Sequence, residues 1–450
     1  MTATLHGALI DQIAVNLDAD LISLRRDIHR EPELAGDERC TARAVAERLR
    51  AAGLSVSTGV SGHGVVAVLD GTGPGPTVAY RADMDAVDAD ELVDSEFVSQ
   101  VPGAAHLCGH DLHTAIGVGI AQVLSRLRHA LRGRVVFVFQ PAEETFEGAR
   151  AMIKAGVLDR VAPYEIYALH CGPAPVGVFA VAPGVGQPGS DVGHIDVLGS
   201  NAVDSGERLV AAINDLSTVT RPRTPEEWAQ LIEDLQTPNG PLARFVLAQS
   251  QLMSGGEGAV RVQFWLRAWP DDRYPALREE VRRLAGSVEG AKVEFPQPPF
   301  PAMVCSPELS QTAAAHLRGV TGVSDVKVLH AAFPFNGDDF ALFLRRVPGA
   351  MFYLGVANPD AGLNGVTHAP DFGADEEAIG LGVRAMAGLL LSRLDVLHRP
   401  PRPAGHPAAP SLSPATNPSV GTLTACQGCL TETSEPADTT DATGAEPRSV

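Results

Sequence analysis

The segment HLCGHDLH brings His106, Cys108, His110, Asp111 and His113 within a few residues of one another. Cys108 and His110 set a thiol and an imidazole two residues apart, and Gly109 between them frees the backbone to turn both toward one centre. RADMDA supplies Arg81, Asp83 and Asp85, and QPAEE supplies Gln140, Glu143 and Glu144. His170 and Cys171 follow an apolar run, and His368 lies in NGVTHAPDF. Neighbouring carboxylates such as Glu143 and Glu144 repel each other and raise a pKa unless a cation lies beside them. Together these types suit cation-assisted hydrolysis with a carboxylate moving the proton. Taken singly, each has an ordinary alternative. Cys108 can be a core thiol, Glu143 and Glu144 a solvated helix cap, His170 a core imidazole, His368 loop surface, and Asp83 and Asp85 turn formers. The joint pattern favours a metal site.

The elements around these residues explain why they should meet. Val135–Phe139 (VVFVF) and Glu165–Leu169 are apolar without alternation, the pattern of strands buried on both faces. Val65–Leu69, Thr77–Tyr80 and Met351–Gly355 read as further strands. Helical patterns cover Asp37–Ala52, Thr114–Leu127, Glu147–Ala155, Pro307–Val320, Asp339–Arg345 and Asp375–Leu391. In such α/β sheets, ligands bind beyond the carboxyl ends of the strands, and the polar residues above follow those ends. From about Val192 the pattern changes. Strands are expected at His194–Leu198, Val260–Ala268 and Ala291–Phe295, with helices at Ser205–Thr220, Pro225–Gln236 and Tyr274–Ala285, and a further helix at Leu242–Met253. The expected fold is an α/β catalytic domain with a mixed, largely parallel sheet, interrupted by a smaller α+β satellite domain. The segments are 1–190 and 298–398 for the catalytic domain, 191–297 for the satellite, and 399–450 for a disordered tail.

Composition narrows the function. The chain of 450 residues is 45% apolar and 20% charged, which is globular. A net charge of −19 argues against nucleic acid as a partner, since phosphate binding needs a basic face. No apolar run reaches the about 20 residues that span a bilayer, and the N-terminus lacks a secretory pattern. Six scattered cysteines do not make a disulfide framework, so a reducing cytoplasm is expected. In the tail, Cys426 and Cys429 supply only two of the four ligands a structural zinc needs.

Seven motifs occur in order: HREPELAGDE, YRADMDA, HLCGHDLHTA, FQPAEETFEGARAMIKAGVL, ALHCGPAPVG, NGDDFALFL and THAPDFGADEEA. Together they resemble the dinuclear metallopeptidase family that includes aminoacylases, hippurate hydrolase and auxin-conjugate hydrolases. The resemblance covers residues from about 20 to 190 and from 300 to 395. It implies two divalent ions, Zn²⁺ or Mn²⁺, held by Cys108, His110, Glu144, His170 and His368, with two catalytic residues, Glu143 as general base and Asp83 near the metals. Asp339 resembles the acidic residue of the family's GSEDF pattern. The implied substrate is an N-acyl amino acid or related amide, and the satellite domain is implied to act as a lid and to support a homodimer.

The satellite departs from the family. A GKGGHAAxP-like segment, whose histidine assists the substrate carbonyl, is replaced by VLGSNAVDSGERL. An NVIP-like segment is replaced by SGGEGAVRVQFWLRAW, and Pro225–Met253 reads as helical where the family has a strand. Two functions stay open on these grounds: an active amidohydrolase, or a homologue that keeps the metal site for binding.

Overall fold

Arg132–Gln140 forms a strand whose last six residues are all buried, as the unbroken VVFVF run requires. It lies within a computed structural model that describes residues 3–93, 95–256 and 258–398. The expected tail, with Cys426 and Cys429, lies outside the described residues. Helices α1 (Ala3–Val15), α2 (Asp18–Arg30) and α3 (Arg39–Ala51) lead into β1 (Ser55–Val60), β2 (Gly64–Asp70) and β3 (Gly73–Asp83). Then come α4 (His110–Arg126), β4 (Arg132–Gln140), α5 (Gly148–Lys154), α6 (Val157–Val161), β5 (Glu165–Pro175) and β6 (Val178–Val181). The middle of the chain gives β7 (Gly186–Gln187), β8 (Gly189–Leu198), α7 (Ala202–Asn214), α8 (Pro225–Gln236) and β9 (Phe245–Ser254). It continues with β10 (Ala259–Trp269), α9 (Tyr274–Gly286), β11 (Ala291–Glu294) and β12 (Met303–Val304). The chain returns with α10 (Pro307–Leu317), β13 (Asp325–Val328), α11 (Phe340–Leu344), β14 (Gly349–Ala357) and α12 (Glu377–Leu397).

The main sheet has eight strands in the order β1-β2-β4-β3-β5-β14-β6-β13. Its centre, β4-β3-β5-β14, is parallel. The flanking β1–β2, β2–β4 and β14–β6 pairs are antiparallel. The carboxyl ends of the central strands therefore lie on one edge, where Asp83 of β3 is in register with Gln140 of β4. Nearly all of α4 is buried, with α2 and α12 against it. Gly119 permits that approach: a Cβ there would lie 2.5 Å from Val383 and 2.6 Å from Leu21.

The second sheet, ordered β11-β8-β10-β9, is antiparallel and carries its own core. Ile195, Val197, Val262, Phe264 and Leu266 meet Leu209 and Ile213 of α7 and Val281 of α9 there. The expected α/β fold with an α+β satellite is thus present.

One element is corrected. Leu242–Met253 is not a helix; β9 occupies most of it and pairs along β10 from Phe245↔Trp269 to Ser254↔Val260. Leu, Ala, Gln and Met favour helix locally, but a ten-residue ladder on β10 outweighs so weak a preference. The strand thought to be replaced is therefore kept, and α8 is an addition before it. That helix docks Leu231 and Leu235 against Ala331, Ala332 and Phe335. Helix α7 also ends earlier than expected, at Asn214. Among the described residues, no helix is long and apolar enough to cross a membrane.

Candidate metal centre

Gly109 adopts φ +80°, and a Cβ on it would sit 2.9 Å from Cys171 Sγ. Only glycine allows this left-handed turn, which starts α4 at His110 and sets Cys108 beside it. His110 Nδ1 contacts the Asp85 carbonyl at 2.8 Å. A carbonyl only accepts, so Nδ1 carries the hydrogen and Nε2 presents its lone pair when the ring is neutral. That Nε2 is enclosed, has no hydrogen-bond partner, and lies 3.7 Å from Glu144, 3.8 Å from Asp83 and 3.9 Å from Glu143. His170 follows the same logic. Its Nδ1 faces the Cys171 carbonyl at 2.8 Å, and its Nε2 is 3.5 Å from Cys108 Sγ.

The Glu143–Glu144 turn is held from outside. Asp85 accepts the Glu143 amide through Oδ1 at 3.0 Å and the Glu144 amide through Oδ2 at 2.9 Å. Glu38 accepts the Ala142 amide at 2.8 Å. These bonds offset a backbone that turns left-handed at Ala142 (φ 54°) and Phe146 (φ 59°). The turn directs Glu144 toward His368, whose Nε2 is 3.5 Å from Glu144 Oε1. His368 is itself left-handed (φ 63°), and its amide donates to the Leu107 carbonyl at 2.8 Å. The loop after β14 is thereby tied to the Cys108 segment.

Five groups of possible ligand atoms form among the described residues, and two of them contain Cys108. Cys108, His110 and His170 bring one ligand atom each within 4.8 Å of one another, and so do Cys108, Glu144 and His368. Cys108 is common to both. The buried atoms His110 Nε2, Glu143 Oε1 and Glu144 Oε1 have no hydrogen-bond partner, and their lone pairs fit cations. Burial, then the Glu144 and Glu143 carboxylates, push the Cys108 thiol up, so a thiolate here needs a cation beside it. Glu143 is also pushed up, first by burial and then by Asp338 and Glu144.

Asp83 is engaged on both oxygens. Oδ1 pairs with His113 Nδ1 at 2.6 Å, and Oδ2 with Arg81. Arg81 is fully buried and also donates to Gln140 at 2.9 Å and to Asp338 and Asp339 at 3.2 Å each. Asp339 additionally accepts from Gln140 at 2.7 Å and from the Ala149 amide at 2.8 Å, joining the end of β4 to α5. Three residues of the histidine-rich loop stay out of the Cys108 groups, among them His113, which bonds Asp83. Asp111 binds Arg25 at 2.6 Å and His29 at 2.8 Å. The His106 ring stacks near His29, 6.2 Å between centroids, with burial pushing it down to about 3.

Sequence reasoning missed two residues. Asp338 leaves Oδ2 enclosed and unpartnered beside Glu143. Its signal was the doubled acid of NGDDF, where Asp339 alone was considered. Arg267 stands in β10, and a Cβ on Gly337 would lie 2.5 Å from its Nη1. That Nη1 is enclosed without a partner, and burial lowers the group's pKa. The available signal was weak, since the same strand also carries Arg261, which pairs with Asp196.

Comparison with known proteins agrees with this geometry. Residues 79–392 match the family model described as peptidase family M20/M25/M40. The chain is 31% identical over 385 residues to thermostable carboxypeptidase 2 of Saccharolobus solfataricus, covering 82% of this chain and 94% of that one. It is 30% identical over 390 residues to N-acetylcysteine deacetylase of Bacillus subtilis, covering 84% and 97%. Among solved structures, YXEP of Bacillus subtilis, described as a dinuclear metal-binding peptidase, superposes with TM-score 0.68 at 26% identity, covering 84% of this chain and 99% of that one. A match over most of the chain, with the donor residues gathered at one sheet edge, leads to one conclusion: this chain belongs to peptidase family M20/M25/M40.

Proposed function

We propose that this chain, a metal-dependent amide hydrolase, cleaves the acyl–nitrogen bond of N-acyl amino acids with two divalent ions at the Cys108 centre. The observation that carries the reading is the sharing of Cys108 between two donor groups. His110 and His170 would hold one ion and Glu144 and His368 the other, with Cys108 available to either. When bound, such ions lower the pKa of a water and polarise a carbonyl oxygen. Zn²⁺ suits the thiolate, while the carboxylate and imidazoles suit Mn²⁺ equally.

Glu143 is the general base. Its enclosed, unpartnered Oε1 takes the proton of the attacking water and returns it to the leaving nitrogen. Asp83 is a positioning residue acting through Arg81 and His113. Arg267 offers its unpartnered Nη1 to the substrate's α-carboxylate, which favours an amino-acid leaving group.

Residues 191–297 act as the lid over a catalytic domain of 1–190 and 298–398; what supports this is the separate core of the second sheet. A homodimer through that sheet belongs to the same reading, with β9 as an open edge. Cys108, Cys171 and Cys305 are unbridged thiols, which agrees with a reducing cytoplasm.

A panel of N-acetyl, N-benzoyl and indoleacetyl amino acids, assayed with Zn²⁺ or Mn²⁺ and again after chelation, tests the function. Metal-dependent release of free amino acid is expected. No turnover of any member with either ion would overturn it.

A further inference from the structure

Arg221 lies in the segment between α7 and α8, and the fold fixes its place. The Thr218 amide donates to the Val246 carbonyl at 2.8 Å, and Thr224 caps α8 by accepting the Glu227 amide at 3.3 Å. Beyond the cap, the Leu235 carbonyl accepts the His330 amide at 2.7 Å, so α8 is bonded to the chain that runs into the Asp338 loop. Held at both ends, Arg221 sets its guanidinium over the buried Phe335 ring, 5.6 Å from the centroid. Phe335 is two residues before Gly337, the residue against which Arg267 packs.

Arg221 and Arg267 thus contact the two ends of the short Phe335–Gly337 stretch, and Arg267 feels the opposing charges of Glu143 and Arg221. Among the described residues, neither arginine has a carboxylate within ion-pair distance. Guanidinium groups held near one another without such a partner are suited to an anion from outside. The pair also differs in depth. Arg267 Nη1 is enclosed, whereas Arg221 is exposed. One carboxylate at the depth of Arg267 leaves Arg221 facing solvent.

We infer that Arg221 is a specificity-determining residue that binds a second carboxylate of the substrate, so that the preferred leaving group is an acidic amino acid. Arg267 takes the α-carboxylate and Arg221 the side-chain carboxylate, with Phe335 holding the guanidinium in place. This rests on the amide-hydrolase reading above. It also gives a role to α8, the segment added before β9, which brings the discriminating charge to the site.

The test compares N-acetylglutamate with N-acetylglutamine, its neutral isostere, on metal-loaded wild type, Arg221→Ala and Arg221→Lys. A charge-assisted contact of about 1.5–3 kcal/mol corresponds to roughly 10- to 100-fold in affinity. Wild type should favour the glutamate substrate by at least about 10-fold in kcat/KM, mainly through KM. Arg221→Ala should collapse that ratio toward one, and Arg221→Lys should restore part of it. Absence of a wild-type preference, or a variant that shifts both substrates equally, overturns the inference. If other N-acyl amino acids are cleaved and these two are not, the inference falls and the amide-hydrolase reading stands. If nothing is cleaved, that reading falls, and calorimetric binding of N-acetylglutamate decides the subsite. Tighter binding by wild type than by Arg221→Ala supports it, and equal binding overturns it.

Discussion

Asp83 Oδ1 and His113 Nδ1 lie 2.6 Å apart, while the other ring nitrogen of His113 accepts the Cys171 amide at 2.8 Å. An acceptor nitrogen carries no hydrogen, so His113 is neutral with its proton on Nδ1. Both nitrogens are spent, and no lone pair is left for a metal. His113 therefore fastens α4 to β3 and β5 at the point where the ligands gather. His113→Ala should leave metal stoichiometry unchanged and cost about 1–3 kcal/mol, the usual penalty for stranding buried polar groups. Urea unfolding of the metal-loaded protein beside elemental analysis checks both parts. Loss of an ion in the variant would move His113 into the ligand set.

Arg81 is the one arginine among the described residues that pairs with Asp83, Asp338 and Asp339 together. Arg81→Met removes the charge and keeps much of the volume, leaving buried carboxylates uncompensated. The expected cost is about 3–5 kcal/mol. Arg81→Lys should recover only part, since an ammonium lacks the fork that reaches Gln140 and the aspartates together. Chemical denaturation measures this, and a loss below about 1 kcal/mol for the methionine variant would contradict the arrangement.

Cys108 is shared by two donor groups, so its removal should disturb both ions. Cys108→Ala is expected to lower metal content toward one or none per chain, read by elemental analysis after dialysis. Cys305→Ala is the control, because that thiol sits at the Met351 carbonyl, away from the donors. Equal metal content in the two variants would remove Cys108 from the centre.

His29 sets a pH dependence outside the ligand set. Burial alone lowers its pKa, but Asp111 at 2.8 Å and Glu91 at 3.0 Å outweigh that, and the net shift is upward. Both ring nitrogens face carboxylates, which only the cation satisfies with two donors. A raised folded pKa means stability that is fully present below the unfolded value of about 6.5 and is lost as pH rises through the folded value. The stability advantage of wild type over His29→Gln should therefore be full below about pH 6.5 and shrink over the window that extends upward from it. Thermal unfolding of both proteins across that window is the measurement. A constant difference would show that His29 is neutral in the fold.

The sequence carried the ligands because they obey a local rule. Asp83, Glu143 and Glu144 stand at or just beyond the carboxyl ends of β3 and β4, and His170 lies just past the part of β5 that pairs with β3, so parallel pairing puts them together; β5 itself runs on past the expected end at Leu169 to Pro175. The unbroken apolar runs of β4 and β5 made the strands visible. Contacts made across distant chain were not visible. Arg267 reaches the centre through the placement of the second sheet against Gly337, and no local period encodes that. The β9 strand was hidden by its own helix-forming residues, and only its ladder on β10 decides its state. Asp85 read as a turn former, which it is; that the turn belongs to Glu143 and Glu144, almost sixty residues on, needed the fold.

Glu143 and Glu144 are adjacent in the chain, and the proposed function gives them different tasks. Each keeps an enclosed oxygen with no hydrogen-bond partner, but Glu144 lies among His110, Cys108 and His368, whereas Glu143 faces Asp338 and Asp339 as well as His110. The direct measurement is metal content beside kcat for Glu143→Gln and Glu144→Gln, made on the same preparations with an N-acyl amino acid that wild type cleaves. Glu144→Gln should lose metal and activity together. Glu143→Gln should keep both ions and lose kcat by about 10²–10⁴-fold, the range for a missing general base. Equal loss of metal in the two variants, or full activity in Glu143→Gln, would contradict the account.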